Sequence, residues 1–222
     1  MNFGDVIRFG NAPSTTASGV GGDATVIWHC DQGSDDIYEL SLVDFSSLRN
    51  EDAPASMPHG VGGDATKIWH CDIAIDDIYE LSTVDFSSLK NANSPAANPY
   101  GVGGDATKIW HCDIDTDDIY ELSLVDFSSL RNEDAPSTYP TGVGGDATKI
   151  WHCDRDIDNI YELSTVDFSS LRNANSPEAF PYGVGGDATV IWHCDIATNV
   201  IYELDTGPIP EGGYNSQIVI IS

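Results

Sequence analysis

The stretch Gly60-Val61-Gly62-Gly63-Asp64-Ala65-Thr66-Lys67-Ile68-Trp69-His70-Cys71-Asp72 decides the fold, because nearly the same thirteen residues stand at five places in the sequence. The copies begin at Gly19, Gly60, Gly101, Gly142 and Gly183, a fixed step of 41 residues. Self-similarity at a constant period of that size marks a repeat architecture, in which each unit buries its apolar faces only against its neighbours.

Outward from that stretch, the second copy breaks at turn-forming residues into four short segments, residues 60–64, 67–71, 77–82 and 84–90. Each reads as a β-strand. Helical solenoids of similar period need two amphipathic helices per repeat with apolar residues at 3.6 spacing, and no segment has that pattern. Four strands in about 40 residues is the size of one propeller blade. The sequence therefore predicts an all-β fold, a five-bladed β-propeller of four-stranded antiparallel blades. The run Ile68-Trp69-His70-Cys71-Asp72, a short loop, then Asp77-Ile78-Tyr79-Glu80-Leu81, resembles the second and third strands of propeller blades of the YWTD and NHL kinds. Trp-His-Cys-Asp stands in place of the Tyr-Trp-Thr-Asp signature, so the resemblance implies the fold and assigns no activity.

The two ends of the sequence support a closed ring. The fifth copy runs through Val200-Ile201-Tyr202-Glu203-Leu204 and departs at Thr206-Gly207-Pro208, without the Asp-Phe-Ser-Ser-Leu segment. Shifted by 41, the N-terminus places Val6-Ile7-Arg8 on Ser47-Leu48-Arg49 and Pro13 on Pro54. Residues 1–10 are thus expected to supply the missing outer strand and leave no radial gap. The expected organisation is one propeller domain over 1–222, with blades starting near 19, 60, 101, 142 and 183 and a non-repeat tail at 207–222. The apolar run 217–221 in that tail reads as an added edge strand, a dimer contact or a chain end without a role; a monomeric ring is expected, with a dimer through the tail as the alternative.

Acidic residues outnumber basic ones 36 to 9, a formal charge of -27 that repels phosphate backbones and anionic membranes, so neither nucleic acid nor a membrane is an expected partner. Of the 36, 27 are Asp, the residue whose short carboxylate closes Asx-turns. No run approaches the ~18 apolar residues of a membrane span, and the first residues lack a basic region followed by an apolar core. Cys30, Cys71, Cys112, Cys153 and Cys194 recur once per repeat, an odd number that cannot all pair. These features together lead to the expectation of a soluble, cytoplasmic protein with reduced thiols.

Three sets of recurring residues are candidates for chemistry. Asp31, Asp35, Asp36, Asp72, Asp76, Asp77, Asp113, Asp117, Asp118, Asp154, Asp158 and Asp195 flank the turn between the second and third strands. Their default role is to cap that turn, but crowded on one end of the ring they are candidate ligand or cation sites, with calcium the one cofactor they admit. Trp28, Trp69, Trp110, Trp151 and Trp192 are expected to fill the space between blades. His29, His70, His111, His152 and His193 face the opposite way from the neighbouring Cys and are expected to be hydrogen-bonded core groups, similar in role to the buried histidines of WD-repeat propellers. A His of one blade meeting the Cys of the next is the alternative, as an activated thiolate or as two of the four ligands of a zinc site. The glycines read as packing devices near the axis, and the basic residue on each outer strand, as at Arg49 and Lys90, as a guard against edge-to-edge pairing.

An active site needs chemically distinct groups in one place, and near-identical blades supply copies of the same few. The expectation is therefore a non-enzymatic, multivalent binding module for a protein, a peptide or a glycan. An amplified structural repeat without a ligand and a sugar-binding propeller are the alternatives, the latter requiring exposed aromatic rings.

Overall fold

The computed structural model describes residues 1–208, and the regular elements among them are all strands. β1 (Val6–Asn11) precedes the repeats. Blade 1 comprises β2 (Ala17–Gly22), β3 (Ile27–Asp31), β4 (Asp36–Leu40) and β5 (Ser47–Asp52); blade 2 comprises β6 (Pro58–Gly63), β7 (Ile68–Asp72), β8 (Asp77–Leu81) and β9 (Ser88–Asn93). Blade 3 follows with β10 (Pro99–Gly104), β11 (Ile109–Asp113), β12 (Asp118–Leu122) and β13 (Ser129–Asp134). Blade 4 has β14 (Pro140–Gly145), β15 (Ile150–Asp154), β16 (Asn159–Leu163) and β17 (Ser170–Asn175), and blade 5 has β18 (Pro181–Gly186), β19 (Ile191–Asp195) and β20 (Val200–Leu204). All five sheets are four-stranded and antiparallel, and the last has the order β1-β20-β19-β18. The protein is a five-bladed β-propeller whose ring the N-terminal strand closes. The apolar run at 217–221 lies outside the described residues.

Inner strands β2, β6, β10, β14 and β18 meet one another around the axis. At Gly62 a Cβ would stand 2.9 Å from the Gly103 Cα, and at Gly60 one would stand 2.6 Å from the Val102 nitrogen. Backbone there touches backbone, so any larger residue would force neighbouring blades apart. Farther out, Trp28 packs between blades 1 and 2 against Val61, Ile68, Tyr79 and Leu81, and its Nε1–H donates to the Asp64 carbonyl at 3.1 Å. The pattern recurs around the ring, ending with Trp192 donating to the Asp23 carbonyl at 3.3 Å. All five rings are at most 2% exposed, each burial worth about 3 kcal/mol.

The outer strand differs from the sequence expectation. It begins at Ser88 rather than Val84, because residues 82–87 form a turn in which the Ser82 N–H bonds the Ser87 carbonyl and the Phe86 N–H bonds that of Ser82. Phe86 takes a φ of 55°, unfavourable for a bulky residue, and is held there by its edge-on contact with Trp28 at 5.6 Å. Tertiary packing here overrides a strand-like Val-Asp-Phe pattern. The basic residue on the outer strand also does more than guard an edge. Arg49 pairs with Glu39 on its own blade, reaches the Thr83 carbonyl of the next blade at 2.6 Å, and lies 4.5 Å over the Phe86 ring.

The sequence after blade 5's third strand has no Asp-Phe-Ser-Ser-Leu segment to bring such a phenylalanine to Trp151. Phe3 takes its place, stacked on Trp151 at 5.9 Å, with the Arg172 guanidinium 4.5 Å over its ring. The closing segment therefore restores the interblade aromatic contact as well as the strand.

Candidate functional site

The two mouths of the axial channel are built differently. At one, Gly22 and Asp23 and their counterparts in every blade form a ring identical in all five copies around an opening of about 160 Å³. Each of those aspartates closes its own turn; Asp64 Oδ1 accepts the N–H of Thr66 and of Lys67 at 2.6 and 2.9 Å. The other mouth is reached by the residue just before each repeat glycine, and there the five copies read Ser18, His59, Tyr100, Thr141 and Tyr182. His59 stacks on Tyr100 at 4.3 Å and leans on Tyr182 at 5.6 Å, and these rings plug the channel, leaving a space of about 10 Å³, room for roughly one water.

His59 is 2% exposed, and burial lowers its pKa to about 4. Gln32 donates its amide to Nε2 at 3.4 Å, and Nδ1 is buried with no hydrogen-bond partner among the described residues. Burial, and then the neighbouring Tyr182 hydroxyl, holds the Tyr100 phenol protonated well above its ordinary range. Neither ring changes charge near neutral pH.

Around this plug lie the turns between second and third strands and the links from outer to inner strands, together on one end of the ring, as their hydrogen bonds show. The recurring aspartates sit here. Asp31, Asp72, Asp113, Asp154 and Asp195 are fully buried. Asp72 Oδ1 accepts the Ala74 N–H and its Oδ2 the Met57 N–H of the preceding link, both at 2.8 Å, and Asp31 likewise holds Gly33 and Thr16. In the other three copies the link is turned over. Asn98, Tyr139 and Phe180 take φ values of 65°, 72° and 66°, and their N–H groups bond instead to Oδ1 of Asp76, Asp117 and Asp158 in the preceding blade. Oδ2 of Asp113, Asp154 and Asp195 is then buried without a partner among the described residues. Burial raises all three pKa values, those of Asp113 and Asp154 to about 6.

Asp36, Asp77 and Asp118 accept the side-chain amides of Asn50, Asn91 and Asn132 on the outer strand, and the Asp35 carbonyl accepts the Ala53 N–H. The carboxylates are thus spread around the ring and engaged with their own blade or with the link into the next one. Among the described residues no three His, Cys, Asp or Glu groups converge closely enough to hold a metal ion.

Each recurring histidine donates Nδ1–H to the carbonyl of its own repeat glycine, at 2.7 to 3.0 Å. Ser94 and Ser176 donate to Nε2 of His111 and His193 from the preceding link, but Ala12, Ala53 and Ala135 stand at that place for His29, His70 and His152, whose Nε2 is left bare. The core histidines are therefore fully bonded in two blades and half bonded in three. Burial holds all five imidazoles near pKa 4 and all five thiols well above the ordinary cysteine range. The cysteines are free and buried, and their contacts are to Ser18, the Pro99 carbonyl and Thr141 rather than to histidine.

One basic residue interrupts the acidic end. Arg155 stands where the other blades have Gln32, Ile73, Ile114 and Ile196. Its guanidinium lies 5.3 to 5.5 Å from the ring centres of Tyr139, Phe180 and Tyr182, beside a depression of about 460 Å³ that also touches Asp156 and Asp158.

No family model matches this sequence, and no curated protein sequence matches it. Among solved structures it is similar to the glutaminyl cyclase of Myxococcus xanthus, at 11% identity over 92% of this protein and 99% of that one, with a TM-score of 0.74. It is also similar to a streptogramin B lyase at 20% identity over 91% and 73% of the two proteins, TM-score 0.55, and to the virginiamycin B lyase of Staphylococcus aureus at 17% identity over 87% and 67%, TM-score 0.50. At these identities the likeness is one of fold. From the sequence, Arg155 falls in a turn that varies between copies, Ile73-Ala74-Ile75 against Ile114-Asp115-Thr116 and Arg155-Asp156-Ile157, which fits a recognition surface or unconstrained loops, and His59 falls in a variable link; the sequence gives no sign that Tyr100, Tyr139, Phe180 and Tyr182 gather beside them. A signal for the aromatic residues existed: they lie in or just before an inner strand and differ from copy to copy while the Gly-Val-Gly-Gly run that follows does not.

Proposed function

We propose that this propeller is a non-enzymatic interaction module that binds through the end bearing the aromatic plug. The observation that carries the reading is the convergence there of the non-repeated residues, against a body and an opposite mouth that are copied from blade to blade. One asymmetric face accounts for the geometry better than five equivalent sites, because the carboxylates that every blade repeats are engaged with the protein's own backbone and side chains, and the three Oδ2 atoms left bare, in Asp113, Asp154 and Asp195, are buried. The non-enzymatic reading rests on the groups at the mouth: His59 and Tyr100 stay neutral, and the buried thiols are neither ionised nor joined to a base. The five tryptophans are too buried to stack on sugars, which leaves Tyr139 and Phe180, 37% and 45% exposed, as the rings open to a ligand at this end. Kinship with YWTD and NHL repeats rests on the placement of Trp69 and Asp72 in the second strand.

The test compares the native protein with a variant carrying His59→Ser, Tyr139→Asn, Arg155→Ile and Phe180→Asn, each replacement taken from an equivalent position of another blade. Melting curves are recorded against calcium, sugars, basic peptides and small carboxylic acids, since a ligand of the folded state at a hundred times its Kd adds about 3 kcal/mol. The reading expects at least one saturable rise that the variant loses. A rise that survives in the variant overturns it.

A further inference from the structure

Eight of the nine basic residues are paired with glutamates: Arg8 with Glu203, Arg49 with Glu39, Lys67 and Lys90 with Glu80, Lys108 and Arg131 with Glu121, and Lys149 and Arg172 with Glu162. Arg155 alone has no carboxylate within salt-bridge distance among the described residues. In a protein with 36 acidic residues, two of them on the rim of the same depression, that isolation is unexpected. The hydrogen bond the structure gives its guanidinium is a long one, 3.5 Å from Nη1 to the Tyr182 hydroxyl. Three aromatic rings surround the guanidinium without using its remaining N–H donors, since cation–π contact satisfies the charge and not the hydrogen bonds.

Resting on the binding face proposed above, we infer that Arg155, Tyr139 and Phe180 form a site for a ligand that carries a planar carboxylate next to an apolar or aromatic group. A guanidinium offers parallel donors that match a carboxylate, and its half-buried position among rings lowers the cost of removing it from water. Tyr139 and Phe180, both at left-handed backbone positions and both partly exposed, are held where their faces can cover the apolar body of such a ligand. Asp156 and Asp158 set the charge limit. They repel a doubly charged phosphate more than a singly charged carboxylate, and their oxygens other than Asp156 Oδ2, which accepts from Thr138, and Asp158 Oδ1, which accepts the Phe180 N–H, can accept from an amide or hydroxyl beside the bound group. The same chemistry is offered by a free aromatic acid and by the C-terminus of a peptide ending in an apolar residue.

The experiment is a titration of the full-length protein followed by calorimetry and by amide and side-chain chemical shifts. The probes are N-acetylphenylalanine, its neutral amide, phenyl phosphate, and a short peptide ending in phenylalanine with either a free or an amidated C-terminus. The site predicts saturable binding of N-acetylphenylalanine with shifts at Tyr139, Arg155 and Phe180, and weakening of about tenfold or more for the amide, for phenyl phosphate and for Arg155→Ile. Ile occupies this place in three other blades, so that variant is expected to keep the fold. Arg155→Lys, which keeps the charge and loses the paired donors, should fall between. A peptide that binds more tightly than N-acetylphenylalanine identifies a peptide terminus as the source, and equal affinity identifies a free acid; either supports the site. No saturable response up to about 10 mM, equal binding of the amide, or unchanged binding by Arg155→Ile overturns it. Should the carboxylic acids fail while another ligand class raises the melting point of the native protein only, the carboxylate assignment falls and the binding face stands.

Discussion

The same five inner strands end in an invariant ring at one channel mouth and in five different side chains at the other. Where Gly62 lies against Gly103, backbone fills the space and every copy must match. A few residues along the same strands, His59, Tyr100 and Tyr182 project beyond the crowding, and Ser18 and Thr141 fill equivalent places with smaller groups. Symmetry is enforced by contact between backbones and released where side chains have room. The place of release is the place to look for function.

The comparison breaks most severely at the axis. Gly62→Ala is expected to cost at least about 3 kcal/mol, because its Cβ would meet the backbone of the next blade, which cannot repack as a side chain could. His59→Ser, on the same strand, should change stability by about 1 kcal/mol or less, since Ser18 shows that blade 1 closes with that residue. Denaturant midpoints of the two variants give the contrast directly, and similar losses would mean that both mouths are equally constrained.

Both mouths exist only while the ring is shut. Phe3→Ala removes the ring stacked on Trp151 and is expected to cost about 2 kcal/mol, less than truncation of a fully buried aromatic because Phe3 is only half-buried. Thermal unfolding of this variant checks whether the closing segment contributes packing as well as strand pairing. No change would reduce it to hydrogen bonds alone.

Within the variable end, the turned-over links leave a signature in pH. Asp113 keeps its proton to about pH 6 in the fold, whereas an unfolded carboxyl releases it near 4. The native state binds more protons in that window, so stability falls as pH rises from about 4 to about 6, with no further loss from this group above it. Asp113→Asn should flatten that part of the stability profile relative to the native protein, by on the order of 1 kcal/mol. An identical slope in both proteins would show that Asp113 ionises freely in the fold.

The smallest effect distinguishes the two kinds of link. Ala53→Ser places beside His70 the hydroxyl that Ser94 supplies to His111, and should stabilise by about 1 kcal/mol by satisfying a buried nitrogen. Ser94→Ala should cost a similar amount. A neutral result for both would mean that water already serves the bare Nε2 atoms.

The legible part of this protein was its repetition. A period of 41 residues, the strand-sized segments and the shift that lays Val6 on Ser47 lead to the ring and its closure. The turn at Phe86 was not legible, because the left-handed phenylalanine is held by the tryptophan and the arginine of another blade. The site was hidden for a related reason. Attention to what recurs leads to Asp72 and His70, which the structure shows buried and bonded to their own blade, and away from Arg155 and His59, which occur once each in the pattern. Tyr139 lies beside Arg155 in the same blade, its carbonyl accepting the Arg155 N–H, but Phe180 and Tyr182 reach Arg155, and Tyr100 and Tyr182 reach His59, from other blades, contacts no local spacing encodes.

The most direct test of the account is the pair of melting curves, with and without N-acetylphenylalanine, for the native protein and for the variant carrying His59→Ser, Tyr139→Asn, Arg155→Ile and Phe180→Asn. The account predicts that the two proteins melt within a few degrees of each other when free, about 1 kcal/mol apart at most, and that the ligand raises only the native one. A ligand-induced rise of equal size in both would contradict it, because binding would then owe nothing to the end where the repeats diverge.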